Sequence, residues 1–462
     1  MKTPMKTRRA SFVLAMLLTA GMAEADFDRH TLVLVQGVEP AIDGAGLGGV
    51  YSGAVDAHVD RHTPDQAFYT NHVVRFGLCD GSDSSWQGNG DDCTRGYLRF
   101  ENFEAYLPPG AKIIGARIIL TSAGTDGGAS YQSDIGYRTA SFGTNITWNT
   151  AGKKGDNVVK FGMIGGWGVT WPADNVQTVD VTALVRAWAD GSLPNHGIQF
   201  TGQEDSYWDG VGHRFYSSDH PTSSRRPRLE IDFAVEGDVT EGSRTYRRTI
   251  VITNGPSVFA DTYIDSREAF RNENYEGAPG CTLEAWVESV RALFKIFTNN
   301  AVLGAVARTG EPLTPGRLIL KGASLQLAST QAKQNAEVKM WKVAQDWDPA
   351  TVTYNKRDST NDWANQWACN GAGINNVDPV TPVGIAASGE YMSNLTMPFD
   401  VTDLLQSYVD GSNNFGVVVG NESWYGFSDD LRFSEETNPI FRPVLVLELW
   451  SLRPMGTVWV VR

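Results

Sequence analysis

The sequence has few of the residues that usually build metal or nucleophilic sites. It contains four cysteines and seven histidines, it has no Cys-x-x-Cys pair, and its last histidine is His220. Common zinc sites need closely spaced cysteines and histidines, so this class is disfavoured. His58 and His62 flank Asp60 on one side of a predicted strand and are a weak metal candidate. Exposed histidines without a metal are the simpler interpretation.

Long apolar runs and clusters of basic residues are also lacking. Beyond the N-terminal segment the sequence has no run of about twenty apolar residues, so we expect no transmembrane segment. Lys and Arg total 39 against 53 Asp and Glu, which gives a formal net charge of −14. Because phosphate backbones are bound by clustered Lys and Arg, no nucleic-acid partner is expected.

The N-terminus has the order of a secretory signal peptide. Residues 1–9 are basic, residues 12–22 are apolar, and Ala23-Glu-Ala25 follows as a cleavage site. We therefore predict a signal peptide at residues 1–25 and a protein that is secreted, extracellular or located at the cell surface.

The cysteines fall into two pairs along the chain. In an oxidising compartment an even number of cysteines favours disulfides, although four cysteines allow three pairings. Cys79 and Cys93 lie in the first part of the sequence, and Cys281 and Cys369 lie in the second. This distribution favours the disulfides Cys79–Cys93 and Cys281–Cys369.

One stretch occurs twice and organises the chain. Val179-Asp-Val-Thr-Ala-Leu-Val-Arg-Ala-Trp-Ala-Asp-Gly191 is matched by Phe399-Asp-Val-Thr-Asp-Leu-Leu-Gln-Ser-Tyr-Val-Asp-Gly411. The apolar spacing predicts a strand that leads into a short helix, with Thr182 and Thr402 as N-cap candidates. Asp180 and Asp400 are therefore expected to have capping or structural roles and not catalytic ones.

The flanks of this stretch also repeat in the same order, at offsets of about 205–220 residues. We therefore predict a first domain at 26–235, a linker at 236–248, a second domain at 249–450 and a β-like tail at 451–462. Many short strands, frequent turns and little helix predict an all-β fold. Each domain is expected to be an antiparallel β-sandwich of jelly-roll type with one short helix.

The order of short motifs resembles the DNRLRE domain, also called carbohydrate-binding module family 96. The resemblance covers nearly all of the mature chain as two copies. It is carried by residues 98–100, 107–111, 113–120, 146–149, 179–188, 195–197, 215–217, 226–229 and 261–264. The resemblance implies a secreted β-sandwich of the kind found on extracellular polysaccharide-active and surface proteins. Some members of this family bind acidic polysaccharides such as alginate.

Sugar binding needs flat aromatic faces beside amides and carboxylates, because a pyranose presents an apolar face and a polar rim. Trp363 and other tryptophans in polar loops are further stacking candidates, although such tryptophans are often core residues. Two matching segments have the required composition, and nearby arginines suit an acidic ligand. The candidate ligand-binding residues are Glu204, Tyr207, Trp208 and Arg214 in the first copy and Glu422, Trp424, Tyr425 and Arg432 in the second.

Calcium is the best candidate metal. The glycine-rich loop between Cys79 and Cys93 offers hard oxygen ligands at Asp80, Asp83, Asp91 and Asp92, although their spacing does not fit an EF-hand. A solvated loop without metal is the alternative.

These features predict a non-catalytic, secreted carbohydrate-binding protein whose partner is an extracellular polysaccharide, and acidic polysaccharides are candidates. No nucleophile with a base is repeated in the two copies. The alternative is a structural or adhesive surface protein that self-associates or binds cell-surface components through sheet edges such as residues 458–461.

Overall fold

The chain is mostly antiparallel β-strand, which confirms the prediction of an all-β protein. A computed structural model describes residues 29–78, 93–126, 133–152, 155–164, 172–202, 212–238, 245–253, 259–284, 290–296, 318–332, 337–365, 384–387, 396–409, 412–421 and 428–452. None of the helices in these ranges has the length and apolar character needed to cross a membrane.

The described residues of the first half, up to residue 235, include one α-helix. Its elements are β1 (His30–Val35), β2 (Ala41–Ile42), β3 (Ala45–Gly46), β4 (Ala54–Asp60), β5 (Val73–Leu78), β6 (Cys93–Phe100), β7 (Lys112–Asp126), β8 (Ser133–Arg138), β9 (Val158–Ile164), β10 (Val176–Asp180), α1 (Thr182–Ala189), β11 (Ile198–Thr201), β12 (Gly212–Tyr216) and β13 (Arg228–Ala234), with 3-10 helices at Phe103–Tyr106 and Ser223–Arg225.

The second half, from residue 236, follows a similar order. Its elements are β14 (Gly237–Asp238), β15 (Thr245–Ile252), β16 (Phe259–Asp265), β17 (Gly280–Glu284), β18 (Val290–Ile296), β19 (Leu318–Leu327), β20 (Ser329–Ala332), β21 (Glu337–Lys342), β22 (Gly384–Ala387), β23 (Met397–Asp400), α2 (Thr402–Val409), β24 (Val417–Asn421), β25 (Ser428–Arg432), a 3-10 helix at Pro439–Phe441 and β26 (Val444–Leu452). Strands β14 and β15 lie partly within the segment 236–248.

The two halves have matching strand orders. In the first, β1-β13-β7-β10 and β12-β5-β6-β11-β8-β9 are joined through the long strand β7, and β4 pairs with β6. In the second, β15-β26-β19-β23 and β20-β25-β17-β18-β24-β21-β22 repeat these orders, and β16 pairs with β18. Strand β7 is therefore matched by β19 together with β20. This correspondence of pairing supports the sequence repeat.

Each half has its own main hydrophobic core, because alternating strand residues point inward. In β5, Val74 and Phe76 are buried and Arg75 between them is exposed. In β26, Leu445, Leu447 and Leu449 enter the second core. Full burial of each such side chain contributes roughly 1.5–3 kcal/mol.

The repeated stretch folds as predicted, but its threonines do not occupy the predicted N-cap position. Thr182 is the first residue of α1, and the N-cap is Val181. The Asp180 carboxylate accepts hydrogen bonds from the Thr182 N–H at 2.9 Å and from its hydroxyl at 2.6 Å. The Thr182 hydroxyl oxygen accepts from the Ala116 N–H at 2.8 Å, which anchors the helix to β7.

The second copy repeats this arrangement, since Asp400 accepts from the Thr402 N–H at 2.9 Å and Thr402 Oγ1 accepts from the Ala323 N–H at 2.8 Å. The expected structural role of both aspartates is therefore confirmed. After α1, Gly191 has φ +75°, a conformation that favours glycine at the end of a helix.

The prediction of a Cys281–Cys369 disulfide is wrong, because Cys281 is a free thiol. Cys281 lies in β17 opposite Leu431 and packs against the second core. Its register matches that of Val74 in β5, so the thiol serves as a small apolar core group. Burial raises the pKa of Cys281 well above its usual range. Cys79, Cys369 and the Cys93 side chain lie outside the described part of the chain.

Candidate functional site

The strand ends of the first half meet at one end of its sheet. The register places Thr201 opposite both Arg95 and Asp134, and it places Gly77 opposite both Thr94 and Gly212. Further pairs at this end are Ser133 with Ile164 and Gly212 with Asp126. We call this end the loop end, because segments 79–92, 127–132, 165–171 and 203–211 leave from these strands and return to this side of the sheet.

The second half has an equivalent loop end. Glu284 lies opposite both Val290 and Ser428, and Glu337 lies opposite Ala387. Segments 285–289, 333–336, 388–395 and 422–427 leave from strands that end here. Apart from Arg214 and Arg432, the predicted sugar-binding and calcium residues belong to segments attached to these two ends and lie outside the described residues: Asp80, Asp83, Asp91, Asp92, Glu204, Tyr207, Trp208, Glu422, Trp424 and Tyr425.

The two candidate arginines do not occupy equivalent positions. The backbone N–H of Ser218 bonds to Asp56, and that of Ser434 bonds to Asp261, which aligns the two strands preceding these serines. By this alignment Arg432 matches Tyr216, and Arg214 matches Asp430. The two candidate arginines therefore lie at different positions of the repeated fold.

The surroundings of the arginines differ accordingly. Arg214 lies near the loop end, opposite Arg75, and its Nη2 donates to the carbonyl oxygen of Thr125 at 3.3 Å. Arg432 lies at the other end of β25, where its Nη1 is 3.4 Å from the Glu436 carboxylate. Only Arg214 is placed to act with groups at a loop end.

The outer face of the first-half sheet carries a row of arginines and aromatic rings that the sequence reading missed. Arg95, Tyr97 and Arg99 alternate along β6 from the loop end. The Arg95 guanidinium carbon lies 4.4 Å from the centre of the Trp148 ring, and its Nη1 donates to the Gly152 carbonyl oxygen at 2.8 Å. The Arg99 guanidinium carbon lies 4.9 Å from the centre of the Phe142 ring.

Arg138 of β8 extends this row beside Tyr97 and is buried. It is 4% exposed, and its Nη1 donates to Gln199 Oε1 at 2.8 Å. Its Nε donates to the Ala140 carbonyl oxygen at 3.2 Å, and the guanidinium carbon lies 5.3 Å from the Tyr97 ring centre. Burial lowers the pKa of Arg138, and the nearby charge of Arg95 acts in the same direction. Its hydrogen-bond acceptors are thus neutral groups.

The same face of the second half keeps two of these cations, because by register Arg291 takes the place of Arg95 and Lys295 that of Arg99. By register, Val343 replaces Arg138 and Val418 replaces Gln199, and both valines are fully buried. Trp363, a stacking candidate by sequence, is 6% exposed and donates its Nε1–H to the Thr353 carbonyl oxygen at 3.0 Å. Trp363 is therefore a core residue. Because the fold accepts valines in place of Arg138 and Gln199, this buried polar pair is a feature of the first half.

The repeated Thr-aromatic-Asn motif fastens the loop that covers this face. Asn149 donates its side-chain amide to Asp65 at 2.7 Å, and Asn355 donates to Asn272 at 2.8 Å. Both bonds tie the loop to the connection that follows β4 or β16. The motif is therefore a structural anchor in both halves.

Each half also buries an aspartate beneath the turn that follows β12 or β25. Asp56 is 3% exposed and accepts from the Ser218 N–H at 2.5 Å. Burial raises the pKa of Asp56 to about 7. Asp261 accepts from the Ser434 N–H and hydroxyl at 3.0 Å, and burial together with the adjacent Glu435 raises its pKa well above the usual range.

The histidine pair does not form a metal site. His58 is buried and stacks on Phe68 with ring centres 4.6 Å apart, whereas His62 is exposed. Burial lowers the pKa of His58 to about 4. Among the described residues, no group of three or more His, Cys, Asp or Glu side chains could hold a metal ion.

Comparisons with known proteins do not place the chain in a family. No family model matches it, and no curated protein matches it. A structure of the Gt strain of infectious bursal disease virus is 12% identical, with 95% of this chain and 82% of that chain covered, at a TM-score of 0.12. A structure of the Gx strain is 10% identical, with 93% and 77% covered, at a TM-score of 0.10.

Proposed function

We propose that the protein is a secreted, non-catalytic carbohydrate-binding protein made of two tandem jelly-roll modules of the DNRLRE type. The observation that supports this proposal is the convergence of strand ends at each loop end. The segments that carry Glu204, Tyr207 and Trp208, and the matching segment of the second half, start and finish there. Both segments therefore connect strands at the loop ends.

The composition of these segments suits a saccharide. An aromatic ring stacks on the apolar face of a pyranose, and carboxylates or amides bond to its hydroxyl groups. Such sites are commonly formed by loops held on a rigid scaffold, and the paired strands of each sheet provide that scaffold.

The first half is the better candidate for an acidic polysaccharide. Near its loop end, the half-buried Arg214 and the exposed Lys160 offer positive charge, and Lys160 pairs with Asp134 at 2.7 Å. The second half has Asp430 at the position of Arg214. A guanidinium can bind a carboxylate through two parallel hydrogen bonds, which suits a uronate.

A binding assay on a panel of neutral and uronate-containing polysaccharides tests this proposal. The mature chain should be retained by at least one of them, and Trp208→Ala or Trp424→Ala should weaken that binding about ten-fold or more. Tyr69→Ala is the matched control, because Tyr69 is an exposed aromatic residue outside these segments (44% exposed). Retention by none of the polysaccharides, or equal weakening by the control, would contradict the proposal.

Calcium at Asp80, Asp83, Asp91 and Asp92 belongs to the same proposal. The four carboxylates belong to the segment of the sequence that connects β5 to β6, and their hard oxygen atoms suit Ca²⁺. Isothermal titration of calcium into the metal-free protein should show binding that the combined change of Asp91 and Asp92 to Asn abolishes. A titration without heat or thermal stabilisation would remove calcium from the proposal.

A further inference from the structure

The two halves contact each other through two different surfaces. The first half contributes the outer side of α1 and the neighbouring bulge of β7, and we call this surface the helix face. It includes Ile114, Asp180, Ala183 and Ala187, which are buried or half-buried. The second half contributes the outer side of its β15-β26-β19-β23 sheet and the 3-10 helix Pro439–Phe441, and we call this surface the sheet face.

The contact is apolar with a few specific hydrogen bonds. Val444, Val446 and Val251 of the sheet face pack with Ile114, and Ile440 and Phe441 join the first core. Gln326 Nε2 donates to the Ile114 carbonyl oxygen at 3.0 Å, and the Thr396 hydroxyl bonds to the Asp180 carboxylate. Asn438 Nδ2 lies 3.2 Å from the Tyr137 hydroxyl.

Because the halves share one fold, each face has a counterpart in the other half. Ile114 and Lys321 are the bulged residues of β7 and β19, so Lys321 is the counterpart of Ile114. In the repeated stretch, Asp403 and Ser407 are the counterparts of Ala183 and Ala187. Asp403 is exposed and Ser407 is half-buried. The helix face of the second half is therefore polar.

The sheet face of the first half carries charged residues where the second half has two joining valines. Its Arg228 and Glu230 are the counterparts of Val444 and Val446, because Leu229 and Leu445 lie opposite the matching residues Ile118 and Leu325. Glu230 forms ion pairs with Arg117 at 2.6 Å and with Arg228 at 2.7 Å.

The 3-10 helix of this half is polar as well. The Arg226 and Arg442 Nε groups both donate at 2.6 Å to the carbonyl six residues earlier, which makes Ser224 and Arg225 the counterparts of Ile440 and Phe441. Arg225 pairs with Asp174 at 2.8 Å.

We propose that the helix face of the first half and the sheet face of the second half form a head-to-tail interface that the chain uses once. The free sheet face of the first half and the free helix face of the second half are their polar counterparts, and they prevent a third unit from adding. A heterologous interface that does not close into a ring continues as a filament unless its ends differ. Here the apolar sheet face fits one partner, the helix face of the first half of the same chain. Charged groups exclude the same contact elsewhere, because removing ion pairs from water costs more free energy than their mutual attraction returns.

This inference is tested on the full mature chain by substituting apolar residues of the interface at the equivalent positions of the two free faces. One variant makes the free helix face apolar through Lys321→Ile, Asp403→Ala and Ser407→Ala. A second makes the free sheet face apolar through Arg228→Val and Glu230→Val. A third combines all five changes. Circular dichroism establishes that each variant is folded, and sedimentation velocity measures its mass over a hundred-fold range of concentration.

We expect the wild type and each single-face variant to sediment as one chain. A mixture of the two single-face variants should form one-to-one dimers, and the combined variant should form chains that lengthen with concentration. The single-face variants are matched controls, because each adds apolar surface without a complementary partner. The inference is overturned if one face alone causes the same association, if the folded combined variant stays monomeric, or if the wild type already forms end-to-end chains.

Discussion

The buried Asp56 gives a direct test of how the fold handles charge. In the folded chain its pKa is about 7, because burial disfavours the ionised form. An aspartate in an unfolded chain titrates near pH ~3.9. At pH values between these two pKa values, Asp56 is protonated in the folded protein and ionised in the unfolded chain. The stability that this group contributes is therefore complete below pH ~4 and is lost as the pH rises toward about 7.

The size of the effect follows from the difference between the two pKa values. About three pKa units at ~1.4 kcal/mol per unit give a total of ~4 kcal/mol, of which about 3 kcal/mol falls between pH 4.5 and pH 8. Asp56→Asn keeps an oxygen that accepts from the Ser218 N–H and removes the titration. The free energy of unfolding of the variant, relative to that of the wild type, should therefore rise by about 3 kcal/mol between pH 4.5 and pH 8.

Urea unfolding of both proteins at the two pH values measures this change, and comparison with the wild type cancels the titration of other groups. Asp65→Asn is the control, because Asp65 is exposed and also accepts one hydrogen bond. If the free-energy difference between Asp56→Asn and the wild type is the same at both pH values, the reasoning about burial is refuted.

Three further predictions concern packing and backbone geometry. Urea unfolding should show that Gly416→Ala lowers the free energy of unfolding by at least about 2 kcal/mol more than Gly277→Ala does. Both glycines have φ near +80°, so the backbone strain is similar. An added Cβ at Gly416 would lie 2.3 Å from the Phe294 carbonyl oxygen, whereas at Gly277 it would meet nothing within 4 Å. Equal costs would contradict the close contact. Trp363→Ala should destabilise the chain by about 3–5 kcal/mol, and a change below about 1 kcal/mol would show that Trp363 is not a core residue. The Cys281 thiol should react with Ellman's reagent only in denaturant, because burial raises its pKa and the thiolate is the reactive form; rapid labelling of the folded protein would contradict this assignment.

The repeat and the β content were predictable because they depend on local patterns. Strand alternation around Val74 and Phe76, and the helical spacing after Thr182, appear directly in the sequence. The structural role of Asp180 was also predictable, since a carboxylate two residues before a helix commonly bonds to free backbone N–H groups. The hydrogen bonds of the Thr182 hydroxyl could not be predicted, because one of them joins it to β7, which is distant in sequence.

The errors arose where strand register decides the outcome. The different positions of Arg214 and Arg432 become visible only when Ser218 and Ser434 are aligned through their bonds to Asp56 and Asp261. Cys281 was assigned to a disulfide from cysteine number and compartment, but its register places it at a core position. The arginine row on β6 was missed because alternating Arg and Tyr residues also suit a solvent-facing strand, and only the covering loop buries them.

Ile440 and Phe441 lie in the first core although they come from the second half. Unfolding of either half would expose these rings or the groove that receives them, so unfolding of one half destabilises the other. A calorimeter should therefore record one endotherm for the whole chain, with calorimetric and van't Hoff enthalpies in agreement. Single-molecule stretching should likewise release both halves within one rupture event.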